Sequence, residues 1–140
     1  MLRRMVDEMS VHGRDPPAVD PAVWAGVADK LRAELATDDV HLVLLATLDA
    51  GPPVGLLSAR VEAPPAVFVA KRLLHVSAVF VEPSRRGQGI GRRLLDEALA
   101  WGRTRACVEA SLNVLVANPA RQLYFELGFA DVRVEMRRGL

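Results

Sequence analysis

From Arg86 to Arg92 the chain reads Arg-Gly-Gln-Gly-Ile-Gly-Arg, three alternating glycines bracketed by guanidinium groups. An apolar run, Leu73 to Val81, precedes them, and an amphipathic run with helical spacing follows to about Trp101. A strand that enters a helix through a turn without side chains presents bare amide N–H groups. Those amides and the positive end of the helix dipole both favour an anion. Arg85, Arg86, Arg92 and Arg93 add positive charge beside them. The chemistry such a turn suits is the holding of a phosphate.

Three phosphate ligands compete for it. A magnesium nucleotide calls for Gly-x-x-x-x-Gly-Lys-Ser/Thr, and no lysine or hydroxyl follows Gly91. No metal site is expected. A dinucleotide calls for Gly-x-Gly-x-x-Gly near the start of a βαβ unit, whereas here the spacing is Gly-x-Gly-x-Gly after antiparallel-looking strands. The third is a pyrophosphate carrier laid across the loop without metal, as coenzyme A would be.

The elements that must position this turn follow from the rest of the chain. At 140 residues it reads as one domain, 1–140, with 51% hydrophobic and 25% charged residues and a net charge of +1. Acids balance the bases along the chain, so no nucleic-acid partner is expected. The longest apolar stretch, around Val40 to Leu48, is too short for a bilayer, and no membrane association is expected. The single Cys107 excludes an intrachain disulfide and reads as a small buried hydrophobe rather than a nucleophile. Arg3, Arg4, Asp7 and Glu8 interrupt any signal-peptide core, which makes the expected location cytoplasmic.

Helical spacing at Leu2, Met5, Val6 and Met9, and again at Trp24, Val27, Ala28, Leu31 and Leu35, predicts two helices before the first strand. Val40–Leu48 and Val54–Val61 read as a hairpin about a turn at Asp49–Pro53. Leu73–Val81 is the next strand, and Gly102 is expected to end the helix after the glycine turn. Arg105–Val116 follows as a strand, then a short helix opened by Asn118-Pro119 and ended by Gly128, then a last strand, Val132–Arg137. The order ααβββαβαβ is an α/β (α+β) domain with one mixed central sheet flanked by helices.

At this point the chain resembles the GNAT-type N-acetyltransferase superfamily over residues ~1–137. Arg86-Gly87-Gln88-Gly89-Ile90-Gly91 is similar to its Gln/Arg-x-x-Gly-x-Gly/Ala signature, and the lead-in Val79-Phe80-Val81-Glu82-Pro83 is typical of it. Asn118, Ala120, Tyr124 and Leu127-Gly128-Phe129 look like its second signature, with the Asn-to-Tyr spacing one residue shorter than usual. The family normally opens with a strand before the first helix, whereas this chain reads as beginning inside that helix: either Met1 is a late start, or the sheet lacks its first edge strand. An open edge invites pairing, so a loop or the second subunit of a homodimer is expected to shield it.

The resemblance implies acetyl-CoA as cosubstrate. Main-chain groups of Val79, Phe80 and Val81 would take the pantetheine arm like an added strand. Amides of Gly87, Gln88, Gly89, Ile90, Gly91 and Arg92 would cradle the pyrophosphate, with Arg86 as a phosphate contact. Tyr124, the only tyrosine, would protonate the departing thiolate; a phenol near pKa 10 suits a leaving group of about 8.5–10. Asn118 would touch the cofactor, cap the short helix, or both. A base must free the attacking amine. Strict alternation on Leu73–Val81 puts the apolar Leu74, Val76, Ala78 and Phe80 on one face and His75 with Ser77 on the other. His75 stands eleven residues before Arg86, and an imidazole suits proton transfer near neutrality. Glu109 is the alternative base, and Glu82 a third.

The expected function is therefore N-acetyl transfer from acetyl-CoA to a primary amine of a small molecule or peptide by direct attack. A non-catalytic acyl-CoA-binding or interaction module on the same fold is the alternative, and a nucleotide-dependent enzyme the unrelated one.

Overall fold

The structure is a computed structural model that describes residues 39–63 and 71–140. The two helices expected before the first strand, the expectation about a first edge strand, and most of the loop after Glu62 fall outside the described residues. Within them the order is β1 (His41–Thr47), β2 (Pro53–Glu62), β3 (Arg72–Val81), α1 (Ile90–Thr104), β4 (Cys107–Leu112) and α2 (Arg121–Glu126). The strands lie in the order β1-β2-β3-β4. The first three pair antiparallel, and β4 joins β3 in parallel. A mixed sheet flanked by helices is what the sequence implies.

The β1–β2 hairpin closes where the Gly51 N–H donates to the Leu48 carbonyl at 2.8 Å. Asp49 and Ala50 both take positive φ, 50° and 56°. That mirror-image turn matches the twist of the flanking strands.

One face of the sheet carries α1. Leu94, Leu95 and Ala98 on the helix meet Leu57, Ala59, Leu74 and Val76 on the strands, and Leu57, Leu74 and Leu95 are fully buried. The helix outruns its expected end at Gly102. That glycine sits inside the last turn because the helix lies hard on β3 there, and a Cβ would come within 3.0 Å of the Leu74 side chain. Its role is close approach and not helix termination.

Two features of β3 position the site. The first is a bulge: Ser58 faces Ala78 while Ala59 faces Val76, leaving Ser77 without a partner on β2. An extra residue shifts the in–out alternation by one. Leu74 and Val76 therefore lie under α1, and beyond the bulge Val79 takes that face. Phe80 and its partner Leu56, both buried, turn to the other side. The expectation that Leu74, Val76, Ala78 and Phe80 share one face is corrected accordingly. The second feature is the shortness of β4. The strand expected over 105–116 spans Cys107–Leu112, because Ala106 turns the chain at φ 59° and the backbone leaves the ladder after Leu112. Pairing of β3 with β4 runs only from Arg72 to Val76, so residues 77–81 have a strand, among the described residues, on the β2 side alone.

The last expected strand, Val132–Arg137, is absent. The segment has a strand's alternation but lies in no ladder among the described residues, and Val132, Val134 and Met136 are 94%, 77% and 89% exposed. Extended chain becomes a strand only when a neighbour accepts its backbone bonds. Among the described residues no helix is long and apolar enough to cross a membrane.

Candidate active site

Beyond Val81 the chain makes a short 3-10 turn, Pro83–Arg85, before reaching the glycines. Gly87 and Gly89 take φ of 73° and 79°, and a Cβ on either would meet nothing within 4 Å. Conformation and access both call for glycine: the left-handed region is costly for L residues, and the space above the turn is left open. The first helical donor of α1 is the Arg93 N–H, bound to the Gly89 carbonyl at 3.0 Å. Upstream of it, no N–H from residue 87 to 92 donates to any group among the described residues. Six consecutive amide positions at a helix N-terminus thus lie without acceptors, on a turn exposed from Gly87 to Gly89. This is an anion cradle in its backbone geometry.

Beside it lies the one-sided half of β3. The carbonyl of Val81 accepts a hydrogen bond from Arg86 Nε at 3.0 Å, and the same guanidinium stands 5.8 Å from the centroid of the Phe80 ring. Arg86, expected over a phosphate, is folded back on the end of β3. Arg92 forms an ion pair with Glu126 on α2. That pair, with the contact of Leu123 beside Gly91, docks α2 against the start of α1.

Tyr124 is carried to this corner by α2. It packs against the margin of the core and meets Phe129 edge to face, ring centroids 6.0 Å apart. Burial pushes its phenol above the ordinary value of 10.0, because the phenolate would lose hydration there. The side-chain oxygen of Asn118 accepts the Ala120 N–H at 2.9 Å. This bond closes the turn just ahead of α2, whose first helical residue follows Ala120. Gly128, at φ 90°, reverses the chain after α2, and the Phe129 N–H returns to the Tyr124 carbonyl at 3.0 Å.

The two candidate bases separate. His75 sits near the end of the β3–β4 pairing, opposite Ser111, with Nδ1 3.0 Å from the serine Oγ. Ser111 is the partner that sequence reasoning did not assign; its signal was its position on a neighbouring strand of matching alternation. On the far side, Arg60, paired in register with His75, donates to Ser77 Oγ at 3.2 Å and forms an ion pair with Glu62. Glu109 faces Leu73 in register and lies 3.9 Å from the Lys71 ammonium, its side chain mostly in solvent. Glu82, at the end of β3, is tied by its N–H to the Val54 carbonyl at 2.8 Å. Among the described residues no three His, Cys, Asp or Glu side chains gather as a metal site would need.

Comparison with known proteins agrees with this architecture. A family model described as the acetyltransferase (GNAT) family matches residues 9–129. A search of curated proteins found no matching sequence. Among solved structures, a putative acetyl transferase from Pyrococcus furiosus is similar, with TM-score 0.71 and 20% identity over 99% of this chain and 93% of that one. Glucosamine-6-phosphate N-acetyltransferase from Arabidopsis thaliana aligns with TM-score 0.69 and 14% identity, over 97% of this chain and 86% of that one. The aminoglycoside N-acetyltransferase AAC(6')-Iy, solved in complex with CoA, gives TM-score 0.65 and 23% identity, over 84% and 90%. At these identities the likeness is one of fold.

Proposed function

Because the chain belongs to the acetyltransferase (GNAT) family, we propose that it transfers the acetyl group of acetyl-CoA to a primary amine of a small molecule or peptide by direct attack. The observation that carries this reading is the run of amides from 87 to 92 without acceptors, next to the half of β3 that has a strand on one side only. Six successive N–H groups without acceptors among the described residues, on an open glycine turn, fit a diphosphate. The open side of residues 79–81 fits an extended amide-bearing arm, which would add to the sheet as a strand does. CoA-bound AAC(6')-Iy shares the fold and supports the choice of carrier.

In this reading acetyl-CoA supplies a thioester, whose carbonyl carbon the amine nitrogen attacks: a C–N bond forms and the C–S bond breaks. The chain's residues manage two protons. His75 takes one from the amine at Nε2, provided Nδ1 carries its hydrogen and donates to Ser111; the serine thereby selects the tautomer. Tyr124 gives its phenolic proton to the departing sulfur. The partly buried site keeps that phenol protonated at neutral and mildly alkaline pH, so the donor is charged with its proton before each turnover. Glu109, drawn to Lys71 and solvent, is the lesser candidate for the base. Arg86 and Arg92 bring positive charge to the cradle, and Asn118 holds the helix that carries Tyr124.

The test is a titration with acetyl-CoA followed by thiol release against a panel of amines. Thermal stabilisation by acetyl-CoA, together with free thiol formed in proportion to an acetylated amine, is the expected result. No stabilisation by acetyl-CoA or CoA at millimolar concentration would end the proposal. Stabilisation with no thiol release across the panel would instead favour the non-catalytic acyl-CoA-binding module.

A further inference from the structure

Two of the four arginines around the glycine turn are already engaged by the protein. Arg86 bonds the Val81 carbonyl, and Arg92 forms its ion pair with Glu126. The second pair puts a carboxylate beside a turn whose backbone is arranged for an anion. Its other oxygen accepts a hydrogen bond from Gln122 Nε2 at 3.4 Å.

The pair makes sense between the two helices rather than within either. Arg92 lies in the first turn of α1, the end that disfavours a cation, and that turn holds no acid of its own. Glu126 closes α2, the end that disfavours an anion, and the last turn there holds no base. Each charge is misplaced on its own helix and well placed for the other. Glu126 is thus the anion that the start of α1 meets before any ligand arrives.

It is a weak one. The two side chains are 43% and 47% exposed, so water and salt screen the pair and it contributes little to stability. A diphosphate would meet the same guanidinium together with the bare amides of 87–92, and it carries more than one negative charge. Against it a single half-exposed carboxylate is the poorer partner.

We infer that Glu126 is a stand-in for the phosphate: it holds Arg92 in the empty protein, yields it to the diphosphate of the acyl carrier, and regains it as the product leaves. The inference rests on the proposed reading of the cradle and adds a residue that limits how tightly the carrier is held. After Arg92 changes partners, the charge of Glu126 stays nearby and opposes the diphosphate. Acetyl-CoA and CoA carry the same phosphates, so the opposition falls equally on cosubstrate and product. The packing of Leu123 beside Gly91 does not depend on the ion pair, and it keeps α2 docked while the partners change.

The experiment is calorimetry of the full chain and of Glu126→Gln with acetyl-CoA, CoA and S-acetylpantetheine, which has the thioester arm without the diphosphate. Glu126→Gln should bind acetyl-CoA and CoA about three- to tenfold more tightly, by one common factor. The gain should shrink at about 0.5 M salt, where charges are screened within a few ångström. Affinity for S-acetylpantetheine should move by less than about twofold. In an Arg92→Gln background the gain should largely vanish, because no cation is left to contest. A carboxylate that only braced α2 would give weaker binding of all three ligands, or no change, and either result overturns the inference. So does an equal gain in the Arg92→Gln background, or a gain that extends to S-acetylpantetheine. If the unmodified protein binds neither acetyl-CoA nor CoA, the reading of the cradle falls and this inference with it. Binding by the unmodified protein with no gain in the variant removes the role of Glu126 alone. Glu126→Ala removes the same charge and supplies the readout should the glutamine variant misfold.

Discussion

Residues 72–76 and 77–81 belong to one strand and do opposite things. The first half is paired on both sides and buries Leu74 and Val76 under α1. The second keeps β2 but loses β4, and its end is met by a guanidinium instead of a strand. One unpaired residue, Ser77, separates them. Stability and ligand recognition can therefore sit on a single element without competing for the same backbone groups, because the bulge divides the strand between them.

That division can be broken from either side. Leu74→Ala, in the closed half, should have the largest effect, a loss of about 3 kcal/mol in denaturant unfolding. Acetyl-CoA affinity of the folded protein should change by less than about twofold. A large loss of affinity in a folded Leu74→Ala protein would show that the halves are coupled. Tyr124→Phe, in the open half's surroundings, should lower kcat by about 100-fold with acetyl-CoA affinity kept. The same variant sharpens the electrostatic reading. Folding raises the phenol pKa, so its neutral form is favoured in the folded state. The stabilisation is fully present below the unfolded value near 10 and is lost as pH rises through the folded value. The wild-type protein should lose stability in that alkaline window by thermal melting, and Tyr124→Phe should lose less. Gly89→Ala should have the smallest effect: about 1 kcal/mol of stability, from an alanine at φ 79°. Acetyl-CoA should bind about tenfold more weakly by calorimetry, since the added methyl points into the space above the cradle.

What could be read in advance divides along the same line. The glycine turn, the hairpin and the helix after the turn are local patterns, and residues 86–92 announced a helix N-terminus without acceptors before any coordinate was known. The short helix that carries Tyr124 was legible through spacing, and Asn118, placed before Pro119, closes the turn ahead of it. The bulge at Ser77 was not legible, since a bulge arises from the register of two strands, and strict alternation therefore put Phe80 on the wrong face. Gly102 read as a stop because a glycine near a helix end has the same signature whether it terminates the helix or admits a neighbour. Val132–Arg137 has every local mark of a strand; what it lacks among the described residues is a partner, and no segment's own residues encode that.

The clasp of Arg86 on the Val81 carbonyl has a kinetic consequence. Any visitor that claims that oxygen must first evict the guanidinium, so the bond there is traded and adds little enthalpy of its own. The evicted group is then free to swing towards incoming negative charge a few residues away. Entry at one end of the groove would thus recruit a cation at the other, and departure of the visitor would let the latch drop back.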